Sequence, residues 1–141
     1  LGDATPVATD DFAPGHGWLV AVVGDVDETR QVIGQSVDPT RGFGIPLSVG
    51  WNLLANPFAF AVAWSDATIA VDDGGVLLTA SQAASAGVAD NRIYYLDGPS
   101  QAYVARDSDE ATPYAMPPGQ GWWLHADGAA ATLLIAPVAA E

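Results

Sequence analysis

The sequence predicts an all-β fold, a sandwich or barrel-like arrangement of short antiparallel strands with one short helix near 79–87. Three observations point there. Apolar runs are short and often alternate at period two. They are punctuated by 15 glycines and 10 prolines, which end helices and central strands alike. Only one stretch combines small helix formers with a cap and a stop.

Residues 1–13, "LGDATPVATDDFA", are polar, contain Pro6 and show no sustained period, so they read as an extended arm. Pro14-Gly15 suits a type II turn, proline presetting φ at the second position and glycine taking positive φ at the third. "WLVAVV" from Trp18 is apolar on both alternating faces and reads as a buried strand. "GDVDE" follows as an acidic turn, and "TRQVIGQSV" as a weaker strand ending at "DPTRG". Residues 43–64 are the most apolar part of the chain, but Pro46 and Pro57 divide them into short strands around Gly50-Trp51. "ATIAV" and "VLLT" form a hairpin about Asp73-Gly74-Gly75. "TASQAASAGVAD" is the helix, with Thr79 or Ser81 as its cap and Gly87 as its end. "RIYYLDG" and "QAYVARD" pair across Gly98-Pro99, the two tyrosines of the first falling on opposite faces. "PGQGWWL" opens another strand. Trp122 and Trp123 point to opposite faces, so one of them is expected to be partly exposed, and His125 alternates away from Trp122 and Leu124. "ATLLIAPV" closes the set.

Composition bounds the function. A chain of 141 residues, half of them hydrophobic, is long enough to bury a real core. Its 17 acidic against 4 basic residues give a net charge of −13, which repels phosphate backbones and anionic headgroups. Nucleic acid and membrane surfaces are therefore not expected as partners. No apolar run reaches the ~18 residues that span a bilayer. With no cysteine, disulfides, thiolate zinc sites and cysteine nucleophiles are excluded. The chain opens at Leu1 without a basic segment and an apolar run behind it, so a processed product or an excised piece is expected.

One pattern is written twice: "PGHGWLV" at 14–20 and "PGQGWWL" at 118–124. Each copy leads through a turn to a strand ending near a proline, "FGIPL" after the first and "LLIAPV" after the second. The head "GWNLLANPF" occurs once, at 50–58. The expected organisation is thus an N-terminal arm plus the tail half of a repeat over 1–46, packing on a complete β module over 47–141. Physically, the turn fixes the entry angle of a core strand, the second glycine permits close backbone approach, and the tryptophan fills the core.

"GWNLLANPF", then "IYYLDG…AYV", "PPGQGWWL" and "TLLIAPV", resembles a β-rich repeat module of large secreted and cell-surface bacterial proteins. Its patterns run Gly-Trp-Asn-Leu-Ile-Gly-x-Pro-Phe and Pro-Gly-x-Gly-Tyr-Trp-Val, with a closing Leu-x-Ile-Pro-Pro strand. The resemblance covers 47–138 as a full copy and 12–47 as a partial one. Trp122 stands where the pattern often has Tyr, and Ala55 where it often has Gly. It implies an extracellular setting in which such modules act as spacers, adhesive units or accessories, and it transfers no catalytic residue.

Candidate chemistry is sparse. "DVDE" (Asp25, Asp27, Glu28) and "DSDE" (Asp107, Asp109, Glu110) offer alternating carboxylates to calcium, which takes six to eight oxygens, but neither continues as an EF-hand loop. A solvated acidic loop is the simpler reading, and no cofactor is expected. His16 and His125, each beside a Pro-Gly turn, would make a metal site with an Asp only if their strands were neighbours. No Gly-x-Ser-x-Gly elbow, acid-bearing apolar strand or phosphate loop is present, so an enzyme is not expected. Trp64, Trp123, Tyr95 and Tyr103, with Asp66 or Asn91, are candidates for a sugar-stacking groove.

The leading expectation is a non-catalytic structural or adhesive module that contacts neighbouring modules or protein subunits through apolar and aromatic surface. Edge-strand exchange would make it polymerise. The alternative is a carbohydrate-binding accessory module.

Overall fold

A computed structural model of the chain describes residues 14–17, 37–128 and 131–140. The N-terminal arm, the strand from Trp18, the acidic turn holding Asp25, Asp27 and Glu28, and all but the last residue of "TRQVIGQSV" lie outside the described residues.

In chain order the elements are β1 (Phe43–Pro46), β2 (Gly50–Ala55), β3 (Val62–Trp64), β4 (Ile69–Asp73), β5 (Val76–Thr79), α1 (Ala80–Ser85), β6 (Ala89–Asp97), β7 (Ala102–Asp107), β8 (Tyr114–Met116), β9 (Gly121–Ala126) and β10 (Ala131–Ile135). They form two four-stranded antiparallel sheets, ordered β1-β10-β4-β5 and β2-β9-β6-β7, and a β3-β8 ribbon. Among the described residues neither sheet closes on itself, so the fold is sandwich-like and the barrel alternative is set aside.

One core joins these layers. Ile45, Ile69, Val71, Leu133 and Ile135 come from the first sheet, Leu54, Ile93, Trp122 and Leu124 from the second, and Val62, Trp64 and Met116 from the ribbon. The alternation that predicts strands also selects this set: β9 buries Trp122, Leu124 and Ala126 and turns Trp123 and His125 the other way. Trp64 and Trp122 meet at 5.5 Å in the middle. Rings of this size bury ~150–250 Å² each, so the pair supplies a large share of the apolar area removed from water.

Local rules explain the joints. Thr79 and Gln82 complete a capping box, each side chain accepting from the other's backbone N–H, which starts α1 where the sequence places it. Asp72 accepts from Gly75 N–H at 2.7 Å to tighten the β4–β5 hairpin. Asn52 and Asn56 account for the asparagines of "GWNLLANPF". Asn52 accepts from Ser48 N–H and donates to the carbonyls of Ser48 and Gly50, shaping the entry to β2. Buried Asn56 donates to the carbonyls of Phe60 and Met116 and accepts from Phe58 N–H, which seats Phe58 in the core. Each is a polar side chain satisfied by backbone rather than one presented to a ligand.

The doubled motif has a structural answer. The described part of the first copy, residues 14–17, lies along one edge of β2, with Gly17 N–H donating to Leu53 O and Ala55 N–H to Gly15 O, both at 2.9 Å. The second copy opens β9, which pairs with the opposite edge, Gly121 facing Ala55. The two Pro-Gly-x-Gly segments therefore flank the same three residues, Leu53 to Ala55. Their closing strands also meet, because β1 pairs with β10, Phe43 opposite Ile135. Pro46 sits in β1, an edge strand of its sheet, where a missing N–H costs no ladder bond on the open side.

Candidate functional site

The outer face of the β2-β9-β6-β7 sheet carries the main surface feature. Register places Leu53 opposite Trp123, Trp51 opposite His125, Tyr94 opposite Trp123 and Tyr103 opposite Leu96, so these residues share one face. Four rings from four strands, Trp51, Tyr94, Tyr103 and Trp123, line a shallow open depression of about 570 Å³. Trp51 and Tyr103 are 57% and 59% exposed, an unusual cost for large rings without a partner. Leu96, 47% exposed, extends the apolar surface along β6.

The rings brace one another. Trp51 stands edge-on to Tyr94 at 5.7 Å and to His125 at 5.1 Å. Because their backbones are held in a continuous ladder, the rings form a preorganised shelf rather than side chains that must order on contact. Polar groups sit at its rim. Arg92 and Asp107, directly opposite each other on β6 and β7, form a bidentate pair at 2.6 and 2.8 Å, and the guanidinium holds the Asp107 carboxyl below the usual carboxylate range. At the β9 end, His125 lies 3.5 Å from Asp127.

The structure splits the aromatic set singled out from sequence. Trp123 and Tyr103 reach the shelf. Trp64 does not: it is fully buried, and its indole N–H donates to Asn91 O at 2.9 Å. Tyr95 lies on the opposite face of β6 from Tyr94 and stacks on Tyr114 at 4.6 Å. Burial, with Tyr95 alongside, pushes the Tyr114 phenol up to about 12. Of the proposed polar companions of a groove, Asp66 is committed elsewhere, and Asn91 meets Trp64 through its backbone carbonyl. Asp66 accepts from Ser81 N–H at 3.0 Å and from the Ser108 hydroxyl at 2.9 Å, pinning the first turn of α1 to the loop after β7. Burial works to raise its pKa, but these hydrogen bonds together outweigh it and hold the carboxyl below its ordinary value. Trp51 and Tyr94 are the members that sequence reasoning missed. Strand alternation relates Tyr94 to Tyr95 but does not say which of the two faces water.

The acidic motif Asp107, Asp109, Glu110 does not gather into a calcium cradle. Both Asp107 oxygens are taken by Arg92, Glu110 accepts from Asp107 N–H and pairs with Arg106 at 3.6 Å, and Asp109 points to solvent. His16, opposite Leu54 on one edge of β2, and His125, on β9 along the other, do not share a ligand set among the described residues. A different trio does converge there: Asp90, His125 and Asp127, whose ligand atoms all lie within 4.8 Å of one another.

No family model matches the chain, and neither a curated protein nor a solved structure matches it. No described helix is long and apolar enough to cross a membrane.

Proposed function

We propose that the chain is a non-catalytic structural or adhesive β module whose working surface is the aromatic shelf, packed in use against a neighbouring module or protein subunit of an extracellular assembly. The observation that carries this reading is the shelf itself: four rings from four strands, apolar at the centre and polar only at the rim. That is the anatomy of protein contact surfaces, where tryptophan and tyrosine in a desolvated centre supply most of the binding energy. The pairing of residues 15–17 with β2 and of β1 with β10 supports it, since segments read from sequence as a partial repeat are covered by the rest of the chain. The extracellular setting rests on the resemblance to secreted repeat modules.

A specific observation favours a second reading. The depression is lined by aromatic rings alone, with no aliphatic side chain among the four. Pyranose faces stack on such rings, and the Arg92–Asp107 pair and His125 stand at the rim. Sedimentation velocity over a wide concentration range, run beside a glycan array, separates the two. The protein reading expects concentration-dependent association that Tyr103→Ala removes, with a silent array. A strict monomer that binds glycans through Trp123 would replace it with the lectin reading.

A further inference from the structure

We propose that Asp90, His125 and Asp127 form a binding site for a divalent transition-metal ion of the zinc class, at the end of the sheet beside the aromatic shelf and independent of what the shelf contacts. The donors come from two places in the chain, Asp90 on β6 and the His125–Asp127 pair at the end of β9, and an irregularity in strand pairing brings the first to the other two. Between Ala89, opposite Ala126, and Ile93, opposite Leu124, β6 spends four steps where β9 spends two. The extra residues form a bulge, and bulges redirect side chains. Here the bulge contains Asp90, whose carboxylate converges on the imidazole of His125.

The third ligand is fixed from the other side. Asp127 N–H and Gly128 N–H both donate to Val88 O, at 2.9 and 2.8 Å, which ties the residues after β9 to the residue before β6. A Cβ on Gly128 would fall 3.0 Å from the Val88 side chain, so this crossing is close-packed. Trp51 packs edge-on against His125 at 5.1 Å and limits the swing of the ring. The result is an imidazole nitrogen 3.5 Å from an Asp127 oxygen. Two ligand atoms on one tetrahedral zinc ion, with bonds of about 2.0–2.2 Å, stand roughly 3.3 Å apart. All three ligand atoms lie within 4.8 Å of one another, and the Asp127 side chain is exposed.

The donor set selects the metal class. One imidazole with two carboxylates suits zinc and its neighbours, whereas calcium takes oxygens only and more of them. Charge favours occupancy, because the chain carries −13 and has no lysine, while Arg41, Arg92 and Arg106 are each paired with other carboxylates. Three protein ligands leave at least one position for water or for an oxygen of a partner. A bound ion would lock the bulge of β6 to the end of β9, and through His125 it would fix the Trp51 edge of the shelf.

The test uses the full chain with zinc and cobalt chloride as probes. Saturable one-to-one binding is expected, with a cobalt d–d band, quenching of Trp51 fluorescence by cobalt, and a midpoint rise of roughly 5–10 °C at hundredfold excess over Kd. His125→Phe keeps a ring against Trp51 but removes the nitrogen, and it should abolish the band. Asp127→Asn, at an exposed position, and Asp90→Asn should each weaken binding tenfold or more, while Asp72→Asn, on a distant acidic hairpin, should leave it unchanged. The proposal is overturned by no saturable binding, by His125→Phe or Asp127→Asn binding as the parent does, by Asp72→Asn weakening it equally, or by calcium matching zinc. Melting of each variant without metal confirms that lost binding is not lost folding.

Discussion

Trp122 and Trp123 are chain neighbours that differ in almost every physical respect. Trp122 is 1% exposed, tilted against Trp64, and surrounded by residues from both sheets and the ribbon. Trp123 lies on the other face of the same strand, in a ring-lined depression open to solvent. Strand geometry makes this division unavoidable, because adjacent side chains point oppositely. One tryptophan is explained by the core alone, whereas the other is half-buried on the face that we propose as the contact surface. The inner face of the second sheet belongs to the core, and the outer face carries the surface proposed above for recognition.

The largest expected effect lies on the inner face. Trp122→Ala should destabilise the protein by about 3–5 kcal/mol, since it empties a large site in a close-packed core. Urea unfolding reads this directly, and a loss comparable to that of a surface substitution would break the contrast between the faces. Next come the two glycines that flank β2. A Cβ on Gly17 would stand 2.8 Å from Leu53 and from the Leu54 carbonyl, whereas one on Gly121 meets nothing nearer than 3.5 Å. Gly17→Ala should therefore cost about 1–3 kcal/mol and Gly121→Ala less than about 0.5 kcal/mol in the same assay. Equal costs would mean that the two copies of the motif are packed alike.

A smaller effect is a pH dependence. The Asp66 and Asp107 carboxyls both sit below their ordinary values in the folded protein, Asp66 through the Ser81 and Ser108 hydrogen bonds that outweigh its burial and Asp107 through Arg92. Stability from a lowered carboxyl is complete above the unfolded value near ~3.9 and is lost as pH falls through the folded value. The thermal midpoint should thus hold from neutrality to about pH 5 and fall below about pH 4. Asp66→Asn should flatten part of that fall, and an unchanged profile would remove Asp66 as a contributor. The smallest stability effect belongs to the shelf: Tyr103→Ala, at a position 59% exposed on an edge strand, should cost less than about 1 kcal/mol.

Much of the fold was legible because local rules and tertiary packing agree. Short alternating runs, the Asp73-Gly74-Gly75 hairpin and the capped segment from Thr79 occur where turn and cap chemistry place them. The three-residue ribbon strands β3 and β8 carry too few residues to show a period, and Val62 opposite Met116 is a contact that only the folded chain defines. The site was half legible for a related reason. Alternation separates Tyr94 from Tyr95 and Trp122 from Trp123, but which member faces water depends on where the other sheet lies. Trp64 looked available for a ligand and is instead the core partner of Trp122. Trp51 looked like part of a structural motif and is instead exposed, the neighbouring Asn52 having the structural role. The convergence of Asp90 with His125 and Asp127 depends on a bulge between β6 and β9, and Asp90-Asn91 at that point does not by itself tell a bulge from the start of a strand.

The most direct test of the outer face as a recognition surface is sedimentation velocity of the parent protein, Tyr103→Ala and Trp123→Ala, each from micromolar to millimolar concentration and each checked by urea unfolding. The parent should associate as concentration rises, and both variants should remain monomeric while staying folded. A parent that stays monomeric throughout, or variants that associate as the parent does, would contradict the assignment of the shelf as a module-to-module contact.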